Sequence, residues 1–103
     1  MNSQFRKGVL EMCILALIAR KDRYGYEIIQ AIAQKMDITK GTVYPLLSRL
    51  KKDGFFDNYI VESAEGPARK YYKISDRGKE HVANLIKDYK AFNQKVMEII
   101  SDR

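Results

Sequence analysis

The sequence predicts a mostly α-helical protein with one small β-hairpin. The chain has 103 residues, of which 46% are hydrophobic and 31% charged, as in a single folded domain. Apolar residues recur with helical spacing in four segments, which together span most of the chain. Two shorter segments rich in Tyr, Ile and Val flank a turn at Gly66-Pro67, and this arrangement is typical of a hairpin.

The first predicted helix covers about residues 7–19 and is apolar on nearly every side. Glu11 is its only charged residue between Gly8 and Ala19. Such a helix must be surrounded by protein, and a chain this short can hardly cover it alone. We therefore expect a second copy of the chain to cover the part of this helix that its own chain leaves exposed.

The second helix is predicted over about residues 23–36, with Asp22 as its N-cap. Ile28, Ile29 and Ile32 form one apolar stripe along it, and the residues between them are largely polar. A tight connection then leads directly to a third helix.

The third helix is predicted over about residues 40–53, with Thr39 as its N-cap and Gly54 as its C-terminal stop. Its apolar residues have the i, i+3, i+4, i+7 spacing of an amphipathic helix: Val43, Leu46, Leu47 and Leu50. Pro45 has no backbone donor and leaves two alternatives open. Either the first turn is irregular, or the helix proper begins near Thr42.

A hairpin and a long final helix complete the chain. The strands are predicted over residues 56–63 and 69–74, with a turn at 64–67, and Ser75 caps a helix from residue 76 to the C-terminus. That helix has a stripe with 3-4-3-4-3 spacing, as in helices that pair with another helix. The stripe, predicted to form a dimer interface, consists of Val82, Leu85, Tyr89, Phe92, Val96 and Ile99.

This order of elements predicts a winged helix-turn-helix in residues 1–75 and a dimerisation helix in 76–103, forming one compact unit.

The net charge of +6 favours a polyanionic partner such as DNA. The outward side of the third helix carries Lys40, Thr42, Ser48 and Arg49, which are suited to contacts in a major groove. The hairpin adds Arg69 and Lys70, which are suited to phosphates. A solvated outer face and a winged helix that binds protein are the alternatives.

Other classes of function find little support in the sequence. With one histidine and one cysteine far apart, there is no metal-ligand cluster, no cofactor motif and no nucleophile–base pair, so we expect no enzyme. The apolar run 9–19 contains Glu11, lacks a cleavage site and is too short to cross a bilayer. We therefore expect a cytoplasmic protein without membrane contact.

The sequence resembles the PadR family of bacterial transcriptional regulators over nearly its whole length. The matching segments are YGYEI at 24–28, GTVYPLLSRL at 41–50, GF at 54–55 and GPARKYYKIS at 66–75, followed by Gly78. The resemblance implies a homodimeric repressor, of the short subfamily with a single C-terminal helix. It also implies operator contacts at Thr39, Lys40, Thr42 and Tyr44 and backbone contacts from the wing at Arg69 and Lys70. The family pattern accepts Pro45.

A dimeric protein of this kind is expected to bind double-stranded DNA at a palindromic operator. Members of the family often respond to small aromatic or cationic compounds. In this chain Met12, Cys13, Tyr89 and Phe92 are candidates for such an effector pocket, because aromatic walls and soft sulfur atoms suit flat apolar ligands. The alternative is that these side chains only pack the subunit interface shut.

Overall fold

The computed structural model describes residues 3–101, which form four helices and a small three-stranded antiparallel sheet. Helix α1 spans Ser3–Arg20, α2 spans Gly25–Ala33, α3 spans Lys40–Lys52 and α4 spans Asp76–Ile100. Strand β1 is Arg23–Tyr24, β2 is Phe56–Val61 and β3 is Arg69–Ile74. The predicted mostly helical winged helix-turn-helix fold is confirmed.

The beginning of the second helix differs from the prediction. Arg23 and Tyr24 pair with Tyr72 and Tyr71 as a third strand, so the sheet has the order β1-β3-β2. The Arg23 side chain donates to the carbonyl oxygen of Leu17 at 2.8 Å, which satisfies one of the last carbonyl groups of α1. The helix therefore begins at Gly25, with Tyr24 rather than Asp22 at the N-cap position, and it ends at Ala33.

Helix α3 includes Pro45 and begins at Lys40, so the alternative of a start near Thr42 is wrong. The Thr39 carbonyl accepts bonds from the backbone N–H groups of Thr42 and Val43, which places Thr39 at the N-cap, although its side chain makes no capping bond. Pro45 lies in the second turn, where its missing N–H removes only one bond of the ladder. The helix ends before Gly54, whose φ of 85° is accessible mainly to glycine.

The hairpin strands pair in one continuous register from Phe56–Ile74 to Val61–Arg69. Ser75 caps α4 as predicted: its hydroxyl oxygen accepts from the Gly78 N–H at 3.0 Å and donates to the Gly54 carbonyl at 2.7 Å. The beginning of α4 is thereby tied to the end of α3 and to the beginning of β2.

The core lies between α1, α2, α3 and the inner face of the sheet. Its most deeply buried side chains come from every one of these elements: Leu10, Ile14, Leu15, Ile18, Ile28, Val43, Leu47, Leu50 and Phe56. Helix α4 packs on α1 and contributes Val82 to the same core. No helix within residues 3–101 has the length and apolar character needed to cross a membrane.

Candidate DNA-binding surface

Helix α3 divides sharply into a buried side and an exposed side. The four predicted core residues are all buried. On the opposite side Lys40, Thr42 and Ser48 are exposed, and Thr39 is exposed directly before the helix. The helix thus presents small polar groups and a cation near its N-terminal end, where side chains of this type reach base edges in a major groove.

Tyr44 lies at the boundary between the two sides. Its side chain is 44% exposed, and its ring packs on Gly25, where an added Cβ would lie 3.1 Å from Tyr44 Cε1. The Tyr72 ring is close by: burial raises the pKa of Tyr72, and the neighbouring Tyr44 raises it further. Tyr44 is therefore available to a ligand on one edge and fixed by packing on the other.

Arg49, the second cation predicted on this side, already has an intramolecular partner. Its guanidinium forms an ion pair with the Glu11 carboxylate of α1, and the two side chains are 42% and 18% exposed respectively. The pair neutralises a carboxylate that is largely removed from water. Any DNA contact by Arg49 must therefore share its donors with Glu11.

The wing presents its two predicted cations at the beginning of β3. Arg69 and Lys70 are both exposed. The Arg69 guanidinium carbon lies 4.7 Å from the centroid of the Tyr24 ring, within the range of a cation–π contact. Lys70 is opposite Ile60 on the neighbouring strand.

Helix α3 and the wing, which consists of β2, β3 and their turn, are both in contact with one point of the fold. Gly25 contacts the ring of Tyr44 in α3, and the ring of the adjacent Tyr24 contacts the guanidinium of Arg69 in the wing. Because Tyr24 and Gly25 are consecutive residues, one short segment of the chain contacts both Tyr44 of α3 and Arg69 of the wing. This arrangement can address a groove and the flanking backbone of one duplex.

The predicted stripe of α4 separates into two halves. Val82 is only 5% exposed and belongs to the core of its own chain, and Leu85 is partly buried against that core. Farther along, Tyr89 is 41%, Phe92 62% and Ile99 81% exposed, whereas Val96 is partly buried. The second half of the stripe is therefore an apolar surface that has not been covered by its own chain.

The structure places the four candidates for an effector pocket on two helices, with different exposure. Met12 and Cys13 are partly buried on α1, while Tyr89 and Phe92 are exposed on α4. Cys13 instead lines a cleft of about 200 Å³ between α1 and α2, with Leu17, Ile32 and Met36. Burial raises the pKa of the Cys13 thiol.

Two features of this surface were not predicted from the sequence. The role of Tyr24 was missed because a strand of two residues is too short to show an alternating pattern. An ion pair at Glu11 could have been predicted from the sequence, since a single carboxylate in an apolar helix requires a cation nearby. In the described part of the chain no three His, Cys, Asp or Glu side chains are grouped so that they could hold a metal ion.

Comparison with known proteins identifies the family. The sequence profile of the transcriptional regulator PadR-like family matches residues 14–84. An uncharacterized protein of Lysinibacillus sphaericus is 37% identical over 92 residues, which are 85% of this chain and 84% of that protein.

Solved structures agree with the sequence profile. A PadR-like transcription factor from Bacteroides fragilis is 41% identical, with a TM-score of 0.81 over 94% of this chain and 95% of its own. A PadR-like transcriptional regulator from Bacillus cereus is 33% identical, with a TM-score of 0.87 over 98% of this chain and 100% of its own. The family is one of DNA-binding regulators and not of enzymes. The chain belongs to the PadR-like family of transcriptional regulators.

Proposed function

We propose that this chain is a cytoplasmic, sequence-specific repressor that binds an inverted-repeat operator as a homodimer and is released by a small ligand. The observation that carries the DNA-binding part is the link through Tyr24 and Gly25 between α3, the proposed recognition helix, and the wing. On these two elements the side chains that would contact DNA are exposed: Thr39, Lys40, Thr42, Tyr44, Ser48, Arg69 and Lys70. A winged helix that binds protein would not need these cations around an exposed helix N-terminus.

Within this surface the residues have different roles. Lys40, Arg69 and Lys70 contact phosphates and so contribute to binding of any duplex. Thr42, Tyr44 and Ser48 reach base edges and select the sequence. Arg49 contributes less than its charge suggests, because Glu11 competes for its donors.

The test is binding of the full-length protein to the duplex directly upstream of its own gene, at several salt concentrations. We expect the logarithm of the association constant K to fall linearly with the logarithm of the salt concentration. Lys70→Ala should reduce the magnitude of this slope by about 0.9, which is the contribution of one phosphate contact. Thr42→Ala should change which sequences are preferred and leave the slope unchanged. Lys87→Ala on α4 is the matched control, since Lys87 is exposed and lies on a different element. Binding that is independent of salt would refute the DNA-binding proposal.

The dimer part is supported by the apolar surface on the second half of α4. Tyr89, Phe92 and Ile99 project from a helix whose first half packs on α1, and Val96 lies between them. Contiguous exposed apolar patches of this kind mark interaction sites. A second copy would cover them isologously and would place two recognition helices on successive half-sites about one helical turn apart.

Sedimentation equilibrium tests the dimer. Phe92→Asp would bury an unpaired carboxylate at the interface, so we expect dissociation to monomers or aggregation. Gln94→Asp introduces the same charge on the same helix, at an exposed position outside the stripe, and should leave the dimer intact. A stable Phe92→Asp dimer would mean that another surface joins the subunits.

The ligand part of the proposal concerns side chains of α1 and α4. Met12 and Cys13 on α1 and Tyr89 and Phe92 on α4 would form a pocket only when a second subunit contributes the missing wall. A small aromatic or cationic effector bound there could alter the distance between recognition helices. Titration of planar aromatic and cationic compounds, followed by tyrosine fluorescence with and without operator DNA, tests this. A true inducer binds more weakly when the operator is present, because coupling is reciprocal. A compound that binds equally well in both cases is not an inducer.

Repression is distinguished from activation by transcription in vitro from the chain's own promoter. We expect fewer transcripts as the protein is added. An increase in transcripts would contradict the repressor assignment and leave DNA binding untouched.

A further inference from the structure

The junction between β1 and α2 touches both elements of the DNA-binding surface. The Tyr24 ring lies 4.7 Å from the guanidinium carbon of Arg69 in the wing. The next residue, Gly25, is buried against the ring of Tyr44 in α3. Tyr24 and Gly25 are consecutive, so one short segment contacts both a cation of the wing and a side chain of α3.

The Tyr24 ring is itself held from the side of the sheet. The strand register places Tyr24 opposite Tyr71 and Tyr71 opposite Tyr59, so three tyrosines form a row across the sheet. The ring centroids are 5.5 Å apart for the first pair and 5.7 Å apart for the second. At the far end, the Tyr59 hydroxyl donates to Asp22 Oδ2 at 2.7 Å, and this bond raises the pKa of Tyr59.

A row supported in this way gives Arg69 a fixed platform near the turn of an exposed hairpin. An arginine on such a hairpin would otherwise sample many rotamers, all but a few of which must be given up on binding. A guanidinium that rests its face on an aromatic ring keeps its N–H groups at the edge free to donate. Such an arginine meets a phosphate with its donors already oriented.

We propose that Tyr24 is a positioning residue for DNA binding, which acts by holding the Arg69 guanidinium on its ring. Gly25 completes the arrangement, because its contact with Tyr44 keeps that platform at a set distance from the recognition helix. The proposal rests on the DNA-binding function proposed above, and it adds a residue that does not itself contact DNA.

The test is a double-mutant cycle on operator affinity, with Tyr24→Leu, Arg69→Ala and the combined variant. Tyr24→Leu removes the aromatic face and keeps an apolar side chain, so we expect affinity to fall about two- to fivefold, the range of an exposed cation–π contact. In the Arg69→Ala background, Tyr24→Leu should not lower the affinity further, because the guanidinium that Tyr24 positions is absent. Tyr24→Phe keeps the ring and should bind as the wild type does.

An equal loss of affinity from Tyr24→Leu in both backgrounds would overturn the proposal, since Tyr24 would then act on the fold and not through Arg69. Thermal unfolding followed by circular dichroism shows whether β1 tolerates the substitution. Arg69→Lys provides a route that leaves Tyr24 and the sheet intact: it keeps the charge but lacks the planar face, and we expect a similar two- to fivefold loss. Unchanged affinity in Arg69→Lys would also overturn the proposal.

The outcomes separate this inference from the proposed function. If the wild type binds the operator and Arg69→Ala binds equally well, the positioning role is wrong and DNA binding by α3 stands. If the wild type binds no duplex at all, the proposed function fails, and the positioning role fails with it.

Discussion

Gly78 is the glycine at which an added methyl group should do the most damage to the fold. It is the third residue of α4, is buried, and has no unusual backbone angle. A Cβ at this position would lie 2.0 Å from the Phe55 carbonyl oxygen and 2.9 Å from Ile74 Cγ1. Carbon–oxygen contacts in proteins are normally about 3.3 Å or longer. Gly78→Ala therefore requires the beginning of α4 to move away from Phe55 by about 1 Å.

That movement pulls on two hydrogen bonds of the same junction. The Ser75 N–H donates to the Phe55 carbonyl at 3.1 Å, and the Ser75 hydroxyl donates to the Gly54 carbonyl at 2.7 Å. Losing both costs about 2 kcal/mol, and overpacking adds about 1–3 kcal/mol. The better helix propensity of alanine returns about 1 kcal/mol. We expect a net loss of about 2–4 kcal/mol in the free energy of unfolding.

Urea unfolding followed by circular dichroism measures this loss. All variants are compared at one protein concentration, because association stabilises the folded state. Gly8→Ala is the control: Gly8 is an exposed helical glycine of α1 with open space around its Cβ position, so alanine should be neutral or stabilising by up to about 1 kcal/mol. If Gly78→Ala unfolds at the same urea concentration as the wild type, α4 does not pack against Phe55 as closely as described.

Three further predictions concern titratable groups. Arg49→Ala should destabilise the fold by about 1–3 kcal/mol because it leaves the Glu11 carboxylate unpaired, and Glu11→Gln in the same background should recover part of that loss; no recovery would mean that the pair is unimportant. Cys13 should react with iodoacetamide more slowly in the folded protein than in urea, because its raised pKa keeps the thiol protonated; equal rates by mass spectrometry would contradict this. Tyr72 has a raised pKa in the folded state, so its contribution to stability is present below about pH 10 and is lost as pH rises through the raised value. Tyr72→Phe should therefore flatten the alkaline fall in the unfolding midpoint, and an unchanged slope would refute this assignment.

Local signals in the sequence were enough to predict α3, the hairpin and the cap of α4. Gly54 and Ser75 act within a few residues of their own positions, so their roles can be inferred without knowledge of the rest of the fold. Strand β1 could not be predicted in this way, because Arg23 and Tyr24 become a strand only by pairing with residues almost fifty positions later. Propensity favoured extending the helix through them, and the tertiary pairing prevailed.

The stripe of α4 shows a different limit of the sequence. Helical spacing identifies which side chains face a neighbour, but it does not distinguish a neighbour in the same chain from one in another chain. Val82 and Tyr89 have the same position in the pattern, yet Val82 is buried in its own core and Tyr89 is 41% exposed. The two kinds of neighbour can be distinguished only in the folded chain, in which α1 covers the first half of α4.

The ion pair between Glu11 and Arg49 has a consequence for how related sequences diverge. Because the carboxylate and the guanidinium come from helices far apart in the sequence, neither residue is free to change alone without leaving a charge in a partly buried place. Relatives that replace Glu11 with an apolar residue and keep Arg49 would have an unshared cation on the recognition helix. Such relatives should bind any duplex more tightly and discriminate less between operators, so the two positions are expected to vary together.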